Sequence, residues 1–416
     1  MGSDSHPLKD GTLGDFDPLA LTADPHAFYR KLREKGPHNY KGQWLLARHA
    51  DVASVLSDSR FVYPEGDLES FSGGADWIDL VSKPSEDLVP RIRDKCAELS
   101  WIWIFRRNDA DHARIRNLLR TSFTRERLQT MRPRAQAIAD DLLARCQGRS
   151  RIEMISTFAH PLPLTVISEV VGVPVALGQM RTWARDLAMS LSANTDSTIT
   201  ERGFFAIAGL AEFIRKAMPA RAHDAHGLLG NLLAAVARGE LTRDELISNC
   251  AAMLVAGHVT TQHLIGTSIL LLLQHPEQLQ LLREDPSLAA NAVEEVLRFE
   301  PPVQSVRRIA REDISVGGVT IHSGERVISL IVAANRDPEV VLDAHRFDIT
   351  RSPIQVFSFG GGSHFCLGAN LARLETEIAL QSLVRHFPRL KLEWHTPDWE
   401  QKSLFRGLET LHVVVE

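Results

Sequence analysis

Three consecutive glycines lead into a cysteine in the segment 359–373, FGGGSHFCLGANLAR. Glycine has no Cβ, so Gly360, Gly361 and Gly362 permit a tight loop that brings backbone close to a flat object. Cys366 stands at the end of this loop, directly before a helical pattern. Amide N–H groups and the positive end of a helix dipole favour a thiolate there. Gly368 leaves space beside the sulfur. The arrangement suits a thiolate presented to a metal from one side. Taken alone, a single cysteine fits a buried, inert thiol better than a ligand. The other three cysteines, Cys96, Cys146 and Cys250, form no Cys-x-x-Cys site with it or with each other. Such sparse usage argues against a structural zinc site and suits a reducing compartment.

The elements that must carry this chemistry follow from periodicity and turn signals. Thr242-Arg-Asp-Glu245 has capping-box form, a hydroxyl at the cap and a carboxylate three residues on. The helical pattern then runs to Gln274, before His275-Pro276, and spans about 45 Å at 1.5 Å per residue. Its middle is apolar nearly all round, which predicts a helix crossing the body of the protein. Helical patterns also cover 24–35, 49–58, the whole of 109–240, 287–299 and Ala369–His386. Within 109–240, RPRAQAIADDLLARCQG stops at Gly148 and PLPLTVISEVVGVP at Gly172, and two helices fill 175–220. QWLLA, the pair ISV and VTI around Gly317-Gly318 with its continuation Gly324–Val327, RLKLEW and TLHVVV read as strands. Residues 61–107, rich in Gly, Pro, Ser and acid, read as a long loop. The expected class is mainly α with small β-sheets (α+β). No G-x-G-x-x-G follows a strand, which argues against a dinucleotide fold.

Length and charge narrow the field further. A chain of 416 residues exceeds the usual single core of roughly 250–300 residues, which suggests several domains. The long helix argues instead for one unit over 1–416, with residues 1–14 as a flexible extension. The net charge of −5 gives no sign of a nucleic-acid partner. The N-terminus lacks a signal-peptide pattern, and His258, Thr260, Thr261, Gln262 and His263 interrupt the longest apolar run. No membrane span is expected, and the chain reads as soluble and cytoplasmic.

Phe359-x-x-Gly362-x-x-x-Cys366-x-Gly368 resembles the haem-binding loop of the cytochrome P450 family of haem-thiolate monooxygenases. Four further stretches agree in order along the chain. Glu295-Val-Leu-Arg298 resembles the family's E-x-x-R helix motif, and Arg346, in HRFD, matches the arginine that completes its buried network. Asp111-His112-Ala-Arg-Ile-Arg116 resembles the helix whose His and Arg hold a haem propionate, and Arg308 and His364 match the other propionate contacts. Cationic donors bind carboxylates by charge-assisted hydrogen bonds, which gives this set a physical logic. The resemblance implies the P450 fold, with haem b between the long central helix and the cysteine loop. It makes Cys366 the iron ligand, with Phe359, Gly360 and Gly368 against the cofactor.

Ala256-Gly257-His258-Val259-Thr260-Thr261, midway along the long helix, resembles the family's A-G-x-(D/E)-T-(T/S) oxygen-activating motif. Gly257 and Thr260 suit a local break in helix hydrogen bonding. Thr260 is implied as the distal alcohol. The family's acid is replaced by Val259, which cannot pass a proton. Three readings stay open: water and Thr260 suffice, His263 one turn on supplies part of the relay, or the oxidation is atypical.

By the same resemblance, the substrate pocket draws on Trp77, Trp101, Trp103, Phe105, Phe204, Phe205, Leu254, Val255, Val259, Val303, Val306 and Phe405. An apolar lining of this kind fits a hydrophobic small molecule. Dioxygen is the co-substrate. No flavin or Fe–S motif is present, so electrons are expected from a ferredoxin and its reductase. Arg114, Arg120, Arg125 and Arg127 suit either a docking face for that partner or a solvated helix face. A monomer is expected.

Overall fold

A computed structural model of the chain describes residues 25–63, 103–190, 197–221, 227–352, 354–394, 396–400 and 405–415. The first 14 residues and most of the 61–107 loop, with Trp77 and Trp101, lie outside the described residues.

The helices are α1 (His26–Lys35), α2 (His49–Ser57), α3 (Asp109–Arg120), α4 (Arg125–Ala144), α5 (Pro161–Val171), α6 (Leu177–Ser190), α7 (Ser197–Arg221) and α8 (Leu228–Ala237). They continue with α9 (Arg243–Gln274), α10 (Pro276–Glu284), α11 (Ala289–Phe299), the short α12 (Ile331–Ala334) and α13 (Ala369–His386). The strands are β1 (His38–Tyr40), β2 (Gln43–Leu46), β3 (Phe61–Val62), β4 (Arg151–Glu153), β5 (Ser305–Ala310) and β6 (Ile314–Val316). After them come β7 (Val319–Ile321), β8 (Arg326–Leu330), β9 (Leu390–Leu392), β10 (Asp398–Trp399), β11 (Leu408–Thr410) and β12 (His412–Val415). The chain is thus mainly helical with small sheets, as expected.

Helix α9 starts at the expected capping box. The Thr242 hydroxyl accepts from the Glu245 amide at 3.1 Å, and the Glu245 carboxylate accepts from the Thr242 amide at 2.8 Å. These two bonds satisfy donors that a helix start otherwise leaves unpaired. Between Glu245 and Leu272 every residue is buried except Ala256, Gly257 and Thr260. A helix enclosed on all sides explains the all-round apolar pattern. The main core packs around it, and two smaller clusters lie about the five-stranded sheet.

That sheet has the order β1-β2-β8-β5-β3, with β2 and β8 parallel and the other pairs antiparallel. Two expectations change here. Residues 324–327 do not extend the β6–β7 hairpin: Gly324 turns at φ +84°, and the chain leaves to form β8 between β2 and β5. Residues 109–240 are not helical throughout, because β4 pairs with β12 some 260 residues later. A three-residue strand has too few positions to show a period, so its partner decides it. Helix α4 also begins earlier than its pattern suggests and runs through Pro133. Proline removes one helix hydrogen bond. Clamps to α13 offset this, with Arg132 paired to Glu377 and Gln136 donating to Ser382.

Candidate active site

Ala256, Gly257 and Thr260, the three unburied residues of central α9, open onto a cavity of about 270 Å³ between that helix and the cysteine loop. His112, Arg116, Arg308, His364, Phe359, Gly360, Cys366 and Gly368 also line it, as do Val303 and Val306. Residues far apart in sequence therefore meet around one space.

The cysteine loop is built by backbone hydrogen bonds. The Gly360 amide donates to Phe357 O at 2.8 Å and the Cys366 amide to Phe359 O at 2.9 Å. Gly360 and Gly362 take φ +70° and +61°, a region that only glycine enters freely. The close approach at Gly362 is to α2: a Cβ there would lie 2.5 Å from Leu56 O. Part of the glycine run thus seats the loop on α2. Asn335 anchors the start of the loop, its amide nitrogen donating to Ser358 Oγ at 2.9 Å and Leu297 O at 3.2 Å, its oxygen accepting from the Phe357 amide at 2.9 Å.

Cys366 lines the cavity and is exposed there. Burial pushes its thiol up, while the amides of Gly368 and Ala369 and the guanidinium groups of Arg116 and Arg373 act the other way. These opposing groups are the ones that would favour a thiolate bound to a metal. A Cβ at Gly368 would meet nothing within 4 Å, so open space lies beside this residue.

A cluster of guanidinium and imidazole donors edges the same cavity. His112 and Arg116, four residues apart on α3, share one helix face. The His112 ring lies 4.2 Å from that of His364, and Arg116 Nη2 donates to Phe365 O at 2.6 Å. Arg308 on β5 lies beside them. Burial lowers the His112 pKa, and Arg116 adds to the effect. His364 falls to about 3, first through burial and then through His112, Arg308 and Arg116. Two guanidinium groups beside two imidazoles whose protonation they disfavour form a donor set suited to an anionic group. A thiol, an open glycine and these donors line one cavity, a set that fits a haem.

The long helix contributes a hydroxyl. Thr260 Oγ1 donates to Ala256 O at 2.8 Å, and the helix stays continuous, so no break occurs. Gly257 serves packing: a Cβ there would lie 2.8 Å from Ile167 on α5. Val259 is buried in the core and, with Val255, Trp103 and Phe405, is not among the cavity's lining residues. Leu254 and Phe204 are also buried elsewhere, and Phe205 is exposed. His263 packs on the backbone of Gly407 instead of facing the cavity. Burial lowers its pKa to about 4.

The Glu295–Arg298 pair forms as a bidentate contact at 2.7 Å for both bonds, fully buried. Arg346 gives this network only its carbonyl, which accepts from Arg298 Nη2 at 3.1 Å. Its guanidinium faces outward, because the neighbouring Phe347 takes the inward position. Arg351 supplies the side chain instead, 3.3 Å from Glu295. Sequence reading also missed Tyr63, Ile167 and Met253, which line the cavity and belong to no motif, and Leu297, a variable position of the Glu295–Arg298 motif.

The cytochrome P450 family model matches residues 206–405. The biotin biosynthesis cytochrome P450 of Bacillus subtilis (strain 168) is 36% identical over 403 residues, covering 94% of this chain and 96% of the relative. The 6-deoxyerythronolide B hydroxylase of Saccharopolyspora erythraea is 34% identical over 417 residues, covering 97% and 98%. The crystal structure of P450BioI in complex with hexadec-9Z-enoic acid ligated acyl carrier protein superposes with a TM-score of 0.83 at 35% identity, covering 94% and 99%. Similarity over nearly the full length, together with a cysteine, a threonine and a cluster of guanidinium and imidazole donors on one cavity, places this chain in the cytochrome P450 family of haem-thiolate monooxygenases.

Proposed function

We propose that the protein inserts one oxygen atom from O2 into a hydrophobic small molecule of secondary metabolism, by hydroxylation or epoxidation. A haem b group fills the cavity beside Cys366, and a ferredoxin with its reductase supplies electrons. The protein works as a cytoplasmic monomer, in one domain spanning residues 1–416. The observation that carries this reading is the shared cavity of Cys366, Thr260 and the His112–Arg116–Arg308–His364 cluster.

The bound haem supplies dioxygen activation and transfer of an oxygen atom. Cys366 ligates the iron as a thiolate. Arg308, His364, His112 and Arg116 hold the propionates by charge-assisted bonds and so orient the macrocycle. The Thr260 hydroxyl spends its proton on Ala256 O, which leaves its oxygen as an acceptor toward the cavity. It holds a water, or another O–H, at that wall. Ile167, Met253, Leu297, Val303 and Val306 line the cavity with apolar groups, which orient an apolar substrate and exclude bulk water. The hexadec-9Z-enoic acid ligated to an acyl carrier protein, named with one relative's structure, carries an apolar chain of the kind this lining suits.

The test is an absorption spectrum of the reduced protein under carbon monoxide. The red-shifted Soret band of thiolate ligation is expected, and it should vanish in Cys366→Ala. A histidine-type band in the unaltered protein would overturn the assignment. Val259 favours a second reading, an atypical or peroxide-driven oxidation, since valine moves no proton. Product formed with peroxide alone, and none with the ferredoxin system, would select it.

A further inference from the structure

Tyr63 lines the haem cavity beside Arg308 and His364, yet belongs to none of the motifs. Two independent constraints place it. The first is sheet register. Strand β3 pairs antiparallel with β5, Phe61 opposite Ala310 and Val62 opposite Ile309, so Tyr63 falls opposite Arg308. Residues directly opposite on antiparallel strands bring their side chains together. The second is a side-chain clamp. Asn108, buried at the cap of α3, accepts from the Tyr63 amide at 3.1 Å and donates to the Tyr63 carbonyl at 2.9 Å. One primary amide thus holds both polar groups of the Tyr63 backbone where the β3 ladder ends.

The consequence is a layered contact. The Arg308 guanidinium lies 4.2 Å from the Tyr63 ring centroid, within cation–π range. The same ring meets the edge of His364 at 4.9 Å, and His364 meets His112 at 4.2 Å. Asn108 caps α3, and His112 and Arg116 lie four residues apart along it. The start of one helix therefore sets the Tyr63 backbone, the histidine stack and the cysteine loop. A guanidinium on a flexible stem has many rotamers. Stacking on a fixed ring restricts its plane and reduces the entropy lost when it binds a carboxylate.

We propose that Tyr63, fixed by Asn108, is a positioning residue for the haem edge: its ring holds the Arg308 guanidinium ready for a propionate. This rests on the haem reading above, which the carbon monoxide spectrum tests separately. The π-face carries the role, and the hydroxyl is dispensable.

The experiment uses the haem-loaded full chain and its variants Tyr63→Phe, Tyr63→Leu, Arg308→Ala and the double variant Tyr63→Leu/Arg308→Ala. Haem loss to an excess of a haem-scavenging apoprotein is followed at the Soret band, and the midpoint potential is measured beside it. Tyr63→Phe should stay within about twofold of the unaltered rate, and Tyr63→Leu, which keeps apolar bulk without a π-face, should lose haem about tenfold faster. In the Arg308→Ala background the same leucine change should add less than about twofold, because a residue acting through Arg308 has nothing left to position. The potential should shift in Tyr63→Leu and not in Tyr63→Phe. Asn108→Leu should speed haem loss in the same direction as Tyr63→Leu. Equal factors in both backgrounds, or an unchanged rate in Tyr63→Leu, would overturn the proposal. So would Tyr63→Phe losing haem as fast as Tyr63→Leu.

Discussion

Thr260 and Val259 are neighbours in sequence with opposite surroundings. Thr260 faces the cavity, and Val259 is buried in the core. Removing the hydroxyl in Thr260→Ala takes away an acceptor at the cavity wall. Reductant consumption should continue while product per reductant falls by about tenfold, the factor for loss of one hydrogen bond worth about 1.4 kcal/mol. Thr260→Ser should retain most coupling. Val259→Glu is not a simple restoration of an acid, because it puts a carboxylate among core side chains. Burying an unpaired charge is costly, so thermal denaturation should show a loss of at least about 3 kcal/mol. A stable Val259→Glu protein with improved coupling would show instead that the position reaches the relay. The motif was legible in the sequence at this scale, but the direction each side chain takes was not.

Elements supply the rigidity. The Glu295–Arg298 contact on α11 is closed by Arg351, while Arg346 points to solvent. Removing one partner of a buried, hydrogen-bonded ion pair leaves an uncompensated charge, so Arg298→Leu should cost about 3–5 kcal/mol. Arg351→Ala should cost about 2 kcal/mol, because Arg351 also holds the carbonyls of Leu342, Asp343 and Arg346. Arg346→Ala should fall within about 0.5 kcal/mol. Equal losses for Arg346→Ala and Arg351→Ala in chemical denaturation would contradict this assignment. Sequence spacing identified the i,i+3 pair because a helix brings such residues together. The third member sits on irregular chain, where no period says which of two arginines turns inward. The ends of α9 were legible for the converse reason: a capping box is a local hydrogen-bond pattern, fulfilled by residues three apart.

The whole molecule buries histidines that the cavity does not use. His258 on α9 lies 2.7 Å from His160, which contacts Gln262 at 3.0 Å. Burial lowers the pKa of His160 and of His258, with neighbouring histidines adding to the effect at His258, and lowers His263 to about 4. A folded-state pKa below the unfolded value of about 6.5 means that the unfolded chain binds more protons in acid. The stability these neutral rings provide is therefore complete above about pH 6.5, and it is lost as pH falls toward 4. Melting temperature should be flat from pH 7 to 8 and decline from 6.5 downward. His263→Phe should reduce that decline, and an unchanged acid limb would remove His263 from the explanation.

Sequence by itself determined the helical class, the long α9, the cysteine loop and the family, because periodicity, caps and closely spaced motifs are local signals. Tertiary structure alone decided that Arg351 closes the ion network, that Val259 and His263 turn from the cavity, and that Tyr63 meets Arg308. These outcomes depend on sheet register and on packing between segments up to some 250 residues apart. Nothing in the neighbouring sequence encodes such contacts, since their energy exists only once both surfaces are buried together.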